Sequence, residues 1–324
     1  MASAGLAPKC PAFAARRDSC DGEDMAINTA LTPLAGQIRE ILSGRTDGAS
    51  EIARRIAEPP GAPGWFRPGD PIWTVHGSVA TFLGGIRSLL FQALHPLALA
   101  GVDQHSTYHE DPFGRLQRTG AFIAATTYGS AELAQGTVDA VKVMHRRVNG
   151  RASDGRRYSA QDPELLLWIH LALTDSMLQA YLIYGRDGAV DADGYVANMA
   201  VVARAIGVDD PPDSQATLAA AIDAFRRDLR VDDIVRRTHR FIMKAPLPLN
   251  LRPGYRILAR AALDSLPGWA LAMLGSQPRM VAADRVLADT SLRVLKTALV
   301  ASPARMAGER RLQGELSISA RRDE

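Results

Sequence analysis

Residues 162–185 read DPELLLWIHLALTDSMLQAYLIYG. Asp162 can accept hydrogen bonds from the first free amides of a helix, and the ring of Pro163 fixes φ near the helical value. The residues that follow are mostly apolar, and Gly185 ends the run. The stretch therefore predicts an apolar helix from Pro163 to Tyr184 that packs among other helices.

The Asp-Pro pair that begins this stretch recurs along the chain as a signal for helix starts. It also occurs at residues 70–71, 111–112 and 210–211. Apolar residues at helical spacing follow most of these pairs. The helices predicted from spacing, caps and breakers cover residues 25–42, 49–57, 79–94, 112–128, 131–148, 163–184, 195–206, 214–229, 232–243, 255–263, 268–274 and 279–300.

Two breaks are predicted within this order of helices. His95 ends the helix before it, because the residue that precedes a proline avoids the α region and Pro96 follows. Asn149 and Gly150 are expected to end helix 131–148 in the left-handed conformation that glycine favours. A polar turn should then lead to the next helix.

The fold class follows from this pattern. Alternating apolar and polar runs joined by hairpin turns are missing from the sequence, so a sheet is not expected. The sequence predicts an all-α fold, a single large multi-helix domain, over residues 25–303. Residues 1–24 mix Pro, Gly, Arg and Asp and predict a disordered arm, and residues 304–324 predict a charged, mobile tail.

Composition and charge limit the classes of function. Of 324 residues, 47% are hydrophobic and 23% are charged, which is typical of a soluble globular protein. The 38 Lys and Arg and the 35 Asp and Glu are interspersed, so no nucleic-acid partner is expected. The only cysteines, Cys10 and Cys20, give no disulfide scaffold and no Cys metal motif. Because neither a spanning helix nor a signal peptide is predicted, a cytoplasmic location is expected, and the oligomeric state is left open.

Histidine is concentrated in one part of the chain, which makes that part the first candidate for chemistry. Imidazole is the commonest metal ligand and the usual acid or base near neutral pH. Six of the seven histidines lie in this part, and they are His76, His95, His105, His109, His145 and His170.

The surroundings of His145 favour a role as a ligand. On helix 131–148 it shares a mostly apolar face with Thr137, Val141, Met144 and Val148. An imidazole in such a place needs a partner, either a metal or an ordinary hydrogen-bonding group of the core. His105 and His109 stand four residues apart, with Glu110 beside them, which could suggest a metal site. The motifs Glu-x-x-His and His-Glu-x-x-His are missing, which weakens a di-iron bundle and a zinc hydrolase.

The order of several short motifs is similar to that of a known family. Residues 115–119 read RLQRT, and His145 follows them. The flanking motifs are His95-Pro96 upstream and, downstream, Tyr158, Asp162-Pro163, Trp168 and His170. This arrangement resembles the catalytic domain of the MpaB/rubber-oxygenase family, which includes the latex clearing protein. The resemblance covers residues 69–185 and, more loosely, the remaining helices.

The resemblance implies an all-α fold, similar to the globins in its helical pocket, that holds haem b without a covalent bond. It places the proximal iron ligand on His145 and two catalytic residues beside the haem on Arg115 and Thr119. Latex clearing proteins have a Lys between these two, where this chain has Arg118. Guanidinium stays protonated and cannot ligate iron, so Arg118 is expected to bind a haem propionate instead, with the distal position open or held by water. His170 is a further candidate for cofactor binding.

Ordinary structural roles remain open for the same residues. A salt bridge or a capping role near Asp111 is the alternative for Arg115. A hydrogen bond to the preceding helical turn is the alternative for Thr119, and core packing is the alternative for His170.

Two functions are therefore expected from the sequence. The first is a haem-dependent oxygenase, an oxidoreductase that uses dioxygen on a hydrophobic, unsaturated small molecule of isoprenoid or lipid type. The alternative is a helical protein that binds lipid or haem without turnover. In that case residues 268–274 and 279–300 would close a pocket or rest on a membrane surface, so peripheral contact with a membrane is a further expectation.

Overall fold

The computed structural model describes a fold that is mostly helical, over residues 36–38, 40–41, 51–277, 282–299 and 302–320. The predicted arm at residues 1–24 lies outside this description. In chain order the elements are α1 (Glu51–Ile56), α2 (Pro71–Gly77), α3 (Thr81–Gln92), α4 (Pro96–His105), α5 (Pro112–Tyr128), α6 (Ala131–His145), β1 (Asn149–Arg151), β2 (Arg157–Ser159), α7 (Pro163–Tyr184), α8 (Ala192–Ile206), α9 (Gln215–Phe225), α10 (Asp233–Met243), α11 (Arg252–Asp264), α12 (Gly268–Met273), α13 (Ala282–Leu299) and α14 (Pro303–Ala320). The predicted all-α, single-domain class is confirmed, whereas the likeness to globins stays a prediction.

The core is built on α3 and α7, which make the most extensive contact among the described helices. Gly84 allows their backbones to approach. A β-carbon at this position would lie 2.8 Å from the sulfur of Met177 and 3.2 Å from the carbonyl oxygen of Ser176. The same core contains Leu90 and Trp168, both without solvent exposure. A small residue at one position therefore brings the two central helices together.

Helix α7 has the predicted bounds, and its first residues show why it begins where it does. The carboxylate of Asp162 accepts a hydrogen bond from the amide of Glu164 at 2.9 Å. By length and composition alone, α7 could cross a membrane. It carries Glu164 and Asp175, however, and many of its side chains are buried against α3, α8 and α9. In this fold it is a core helix.

Two of the other Asp-Pro pairs also begin helices, and one does not. Asp111 accepts a hydrogen bond from the amide of Gly114 at 2.8 Å at the start of α5, and Asp70 precedes α2. The pair at residues 210–211 was predicted to start a helix, but α9 begins later, after Ser214. The reason is Pro212, which keeps the residue before it out of the α region.

The predicted break at His95 is confirmed. Helices α3 and α4 meet there at an angle of 108°. The Nδ1 atom of His95 accepts a hydrogen bond from the amide of Ala98 at 3.4 Å, so the histidine caps the helix that Pro96 begins. This role uses one ring nitrogen of His95 for structure.

Residues 149 and 150 were predicted to end a helix, but they belong to a short β-hairpin instead. Helix α6 ends at His145, and Asn149 and Gly150 lie in strand β1 rather than in a left-handed cap. Strand β1 pairs antiparallel with β2, where Gly150 lies opposite Tyr158. A β-carbon on residue 150 would come within 2.7 Å of the Tyr158 hydroxyl, so glycine leaves room for the buried tyrosine rather than for a turn. The expectation of no strand was wrong at this place.

The C-terminal segment forms a packed helix where a charged, mobile tail was predicted. Helix α14 contacts α1 and α5. A β-carbon on Gly308 would lie 2.9 Å from the Tyr128 carbonyl oxygen and 3.0 Å from the ring of Trp73. The guanidinium of Arg311 is buried and donates to the same carbonyl oxygen at 2.9 Å. Tertiary contacts thus bury one charge of a segment that is mostly polar in sequence.

Neighbouring glycines in α3 give a matched test of the core. Gly84→Ala should lower the free energy of unfolding by about 1–3 kcal/mol, because the added methyl group overpacks the α3–α7 contact. Gly85 has open space around it, so Gly85→Ala should raise the same free energy by up to about 1 kcal/mol through helix propensity. Urea unfolding of both variants measures the difference. Equal stabilisation by both substitutions would contradict the close approach of α3 and α7.

Candidate functional site

The predicted site residues lie on a helical hairpin made of α5 and α6. Gly129 and Ser130 connect the two helices, which pack against each other. The hydroxyl oxygen of Ser130 accepts a hydrogen bond from the amide of Leu133 at 3.2 Å and so caps α6. A connection of two residues turns the chain back on itself. The start of α5 and the end of α6 are therefore expected at the same end of the hairpin.

The end of α4 ties these two parts together. The guanidinium of Arg115, in the first turns of α5, donates to the hydroxyl oxygen of Ser106 at 2.7 Å. The neighbouring His105 lies with Nε2 3.1 Å from the carbonyl oxygen of Asn149, four residues beyond His145. Residues 105 and 106 thus contact both parts. Arg115 and strand β1, which follows α6, therefore contact adjacent residues at the end of α4.

His145 is the last residue of α6, and its ring is half-buried. Burial lowers the pKa of this imidazole below its usual 6.5, so the neutral form predominates at pH 7. No hydrogen-bond partner for the ring occurs in the described part of the chain. The apolar face predicted for it is correct only in part, because Met144 is 54% exposed and the buried positions of α6 are Ala134 and Val138.

Arg115 and Thr119 lie one helical turn apart on α5. Burial lowers the pKa of Arg115, the nearby Tyr108 raises it, and the charge of Arg118 lowers it further. The hydroxyl of Thr119 donates to the carbonyl oxygen of Arg115 at 3.0 Å, which is the local hydrogen bond anticipated as its alternative role. The guanidinium of Arg115 donates to the Ser106 hydroxyl oxygen, and only its backbone amide donates to Asp111, at the carbonyl oxygen.

Arg118 and His170 have different surroundings. The side chain of Arg118 is 65% exposed, and its guanidinium lies 3.6 Å from the carboxylate of Asp111. His170 is buried in α7 with Nε2 3.5 Å from the hydroxyl of Thr174, and burial lowers its pKa to about 4. Within the described part of the chain, no hydrogen bond or ring contact joins His170 to the hairpin residues. Within that part of the chain, hydrogen bonds join Arg115 to Ser106 and to Thr119, and no hydrogen bond or ring contact joins Arg115 or Thr119 to His145 or His170.

The remaining histidines all have polar partners in the fold. His76 lies with Nδ1 2.8 Å from the Thr127 hydroxyl and Nε2 3.1 Å from the Tyr195 hydroxyl. The Nε2 atom of His239 lies 2.8 Å from the carbonyl oxygen of Leu90. His95 caps α4, His105 lies near the carbonyl oxygen of Asn149, and His109 lies near the carboxylate of Asp103. Among residues that the structure describes, His145 alone has an imidazole without such a partner.

A polar cluster beside Arg115 was missed by sequence reasoning. The hydroxyl of Tyr108 donates to the carboxylate of Asp103 at 3.1 Å and lies 3.2 Å from the Thr238 hydroxyl. The same carboxylate lies 3.6 Å from Nε2 of His109. The signal available in the sequence was the polar run between α4 and α5, but its contact with Thr238 of α10 is long-range. His109 belongs to this cluster, whereas His105 contacts Asn149 and Tyr158 instead.

The match with known proteins covers most of the chain. Residues 73–298 match the family described as ER-bound oxygenase mpaB/B'/rubber oxygenase, catalytic domain. Two proteins of unknown activity, uncharacterized protein Rv2237 of Mycobacterium tuberculosis and uncharacterized protein Mb2261 of Mycobacterium bovis, are each 35% identical over 97 residues. That stretch is 28% of this chain and 36% of each relative. No solved structure gives a significant match.

Because burial lowers the pKa of several histidines, we expect the protein to lose stability in mild acid. Burial lowers the pKa from 6.5 to about 3 for His76 and to about 4 for His95, His170 and His239. Below pH 6.5 the unfolded chain binds protons that the folded protein excludes, so the free energy of unfolding should fall as pH drops from 6.5 towards 4. The slope should reach up to about 1.4 kcal/mol per pH unit for each such histidine.

Urea unfolding at about pH 7, 6 and 5 measures this slope. The variant His170→Leu should reduce the slope by up to about 1.4 kcal/mol per pH unit, the contribution of one proton, whatever its effect on stability at neutral pH. A free energy of unfolding that is constant over this range would contradict the neutral, buried state of these rings.

Proposed function

This chain belongs to the mpaB/rubber-oxygenase catalytic-domain family, and from this premise we propose that it is a haem b-dependent oxygenase. The family assignment made from the sequence is thereby confirmed, and with it the place of the chain among oxygenase enzymes. The proposed substrate is a hydrophobic, unsaturated small molecule of isoprenoid or lipid type, with dioxygen as the second substrate. The proposed location is cytoplasmic, with contact to a membrane surface.

The unpartnered imidazole of His145 is the observation that carries this proposal. A histidine that holds haem iron would do so through a neutral ring nitrogen with a free lone pair. His145 offers that group, because its pKa is lowered by burial and no described side chain or carbonyl group uses its nitrogens. The other described histidines use their rings for hydrogen bonds or ion pairs within the fold.

The donor set around His145 fits a prosthetic group better than a bare ion. Nowhere in the described chain do three His, Cys, Asp or Glu side chains lie close enough to hold a metal between them. A porphyrin brings four nitrogen ligands of its own, so one histidine is sufficient. When bound, haem b supplies the capacity to bind and activate dioxygen.

The chain's own residues would orient and stabilise the reactants. The hydrogen bond from Arg115 to Ser106 fixes a positive charge at the start of α5, where it can donate to an anionic oxygen. Thr119 can donate or accept a proton through its hydroxyl, one turn further along. The exposed guanidinium of Arg118, held only loosely by Asp111, is available for a propionate. His170, buried on α7, remains a candidate for cofactor binding on the family resemblance alone.

The surface of the hairpin supports an apolar substrate. Three large apolar side chains of α5 and α6 are 41–54% exposed, and they are Leu116, Val143 and Met144. Contact with such residues favours a hydrocarbon over a polar molecule. The family takes part of its name from rubber oxygenase, which supports an unsaturated hydrocarbon for this chain by analogy.

Haem binding gives the direct test of this proposal. Purified protein supplemented with haem should show a strong Soret band, and His145→Ala should lose it. Added imidazole should restore the band in His145→Ala, because the free ring fits the space left by the side chain. The absorption spectrum measures all three states.

His109→Ala is the matched control, because His109 lies near the same place but is paired with Asp103. This variant should take up haem as the wild type does. The proposal fails if the wild type takes up no haem, or if His145→Ala binds haem with unchanged affinity and spectrum.

Arg115 should matter for turnover more than for haem uptake. Arg115→Met should lower the rate of oxygen consumption with a polyisoprenoid substrate by about a hundredfold, because it removes the fixed donor near the reacting oxygen. An oxygen electrode measures the rate on protein with full haem content.

Arg118→Gln and a pair of Thr119 variants complete this experiment. Arg118→Gln should weaken haem retention but change the rate of the loaded enzyme by no more than about twofold. Thr119→Val should slow turnover by about tenfold and Thr119→Ser should not, because only the serine keeps the hydroxyl. Equal rates for Arg115→Met and Arg118→Gln would contradict the role of Arg115.

A further inference from the structure

One segment of the chain has an unusual balance of charge. Between Ile234 and Leu263 there is no acidic residue, although acidic and basic residues are nearly equal in number over the whole chain. The basic residues of this segment are Arg236, Arg237, Arg240, Lys244, Arg252, Arg256 and Arg260. A surface with a concentration of positive charge attracts negatively charged partners.

The fold places most of these charges on the surface. Helix α10 buries Val235, His239 and Ile242 and exposes three arginines on its other side. Helix α11 buries Leu258 and Ala259 among others, and it exposes two arginines in its first turns. Both helices therefore turn an apolar face inward and a basic face outward, on either side of the loop at residues 244–251.

Few of these charges are neutralised within the fold. Arg236 lies 3.9 Å from the carboxylate of Asp233, and Arg260 lies 2.6 Å from that of Asp264. In the described part of the chain the other five have no ion pair, and they are Arg237, Arg240, Lys244, Arg252 and Arg256. Five uncompensated cations on one surface favour an anionic partner over a neutral one.

A cavity opens between the end of α10 and the start of α11. It has a volume of about 310 Å³, and the charged residues of its wall are Lys244, Arg252 and Arg256, with no acidic residue. Met243 and Pro246 supply apolar wall. Tyr255 donates a hydrogen bond to the carbonyl oxygen of Ile242 at 2.6 Å, which holds the two helices together. The cavity suits an anionic group attached to an apolar one.

The loop beside this cavity presents an apolar side chain to solvent. Leu249 is 75% exposed, more than any other large hydrophobic residue of the described chain. Pro246 and Pro248 stiffen the loop around it. A leucine held outward amid basic residues is costly in water but favourable at the boundary between lipid headgroups and acyl chains.

We propose that the surface formed by α10, α11 and loop 244–251, here named the basic surface, docks on a bilayer that contains anionic phospholipid. A lipid headgroup would enter the cavity, and Leu249 would enter the boundary below the headgroups. Nucleic acid would meet the cations but would leave Leu249 in water, so the combination favours a membrane. This inference rests on the membrane contact of the proposed function, but on neither haem nor oxygenase activity.

Vesicle flotation with the full chain tests the proposal. The protein should bind vesicles of an equal mixture of phosphatidylcholine and phosphatidylserine, but not vesicles of phosphatidylcholine alone, and binding should weaken as salt rises. Lys244→Gln, Arg252→Gln and Arg256→Gln combined should weaken binding on the order of a hundredfold, at about fivefold for each charge. Leu249→Ser should weaken it by about tenfold.

A control variant removes the same charge elsewhere. Arg55→Gln, Arg67→Gln and Arg310→Gln combined change three other exposed positions and should weaken binding by at most about threefold. The proposal is overturned if the wild type does not bind the anionic vesicles, or binds neutral ones equally well. It is also overturned if both triple variants lose binding alike, or if an oligonucleotide of equal charge binds more tightly than the vesicles.

Discussion

The close contact of α3 with α7 is the constraint on which the rest of this fold depends. It places the buried guanidinium of Arg87 2.6 Å from the carboxylate of Asp175 and 2.8 Å from the Ser176 hydroxyl, and its Nε donates to the Ser265 carbonyl oxygen at 3.2 Å. A buried charge is stable only when such partners satisfy it. Helices from both halves of the chain are therefore fixed to the same pair. The α5–α6 hairpin packs outside this centre, where its ends stay accessible.

That arrangement explains why the candidate site is at the periphery of the core and not within it. The end of α4 joins the start of α5 to the residues just after α6, through Ser106 and His105. The deep histidines, such as His239, are already used in hydrogen bonds that hold helices together. The ring of His145, at the end of α6, is only half-buried, and burial lowers its pKa. Structure and chemistry thus separate histidines that look alike in sequence.

Sequence reasoning was most accurate where the signal is local. The capping carboxylates of Asp111 and Asp162 and the break at His95-Pro96 depend on neighbouring residues, so the bounds of α5 and α7 were predicted correctly. The strands at residues 149–159 were missed because each has only three residues, too few to show alternation. Helix α14 was missed because Gly308 and Arg311 are buried by contacts with α2 and α5, which no local pattern reveals.

The same limit applies to the candidate site and to the basic surface. RLQRT and the later His145 could be found as a family pattern, but the partner of Arg115 lies at the end of α4 and is shown only by the fold. The run without acidic residues from Ile234 to Leu263 was visible in sequence, although only the fold shows that its charges lie outward and largely unpaired. The types of residue therefore suggest which ligands could bind, and tertiary contacts decide which of those side chains are already used within the fold.

The proposed function requires that the imidazole of His145 can bind an iron atom. Resonance Raman spectroscopy of the reduced, haem-loaded protein measures this bond directly. If the ring of His145 binds the iron, an iron–imidazole stretching band should appear, and it should shift to lower frequency when histidine is labelled with heavy nitrogen. A spectrum without such a band, or a band that does not respond to the label, would contradict it.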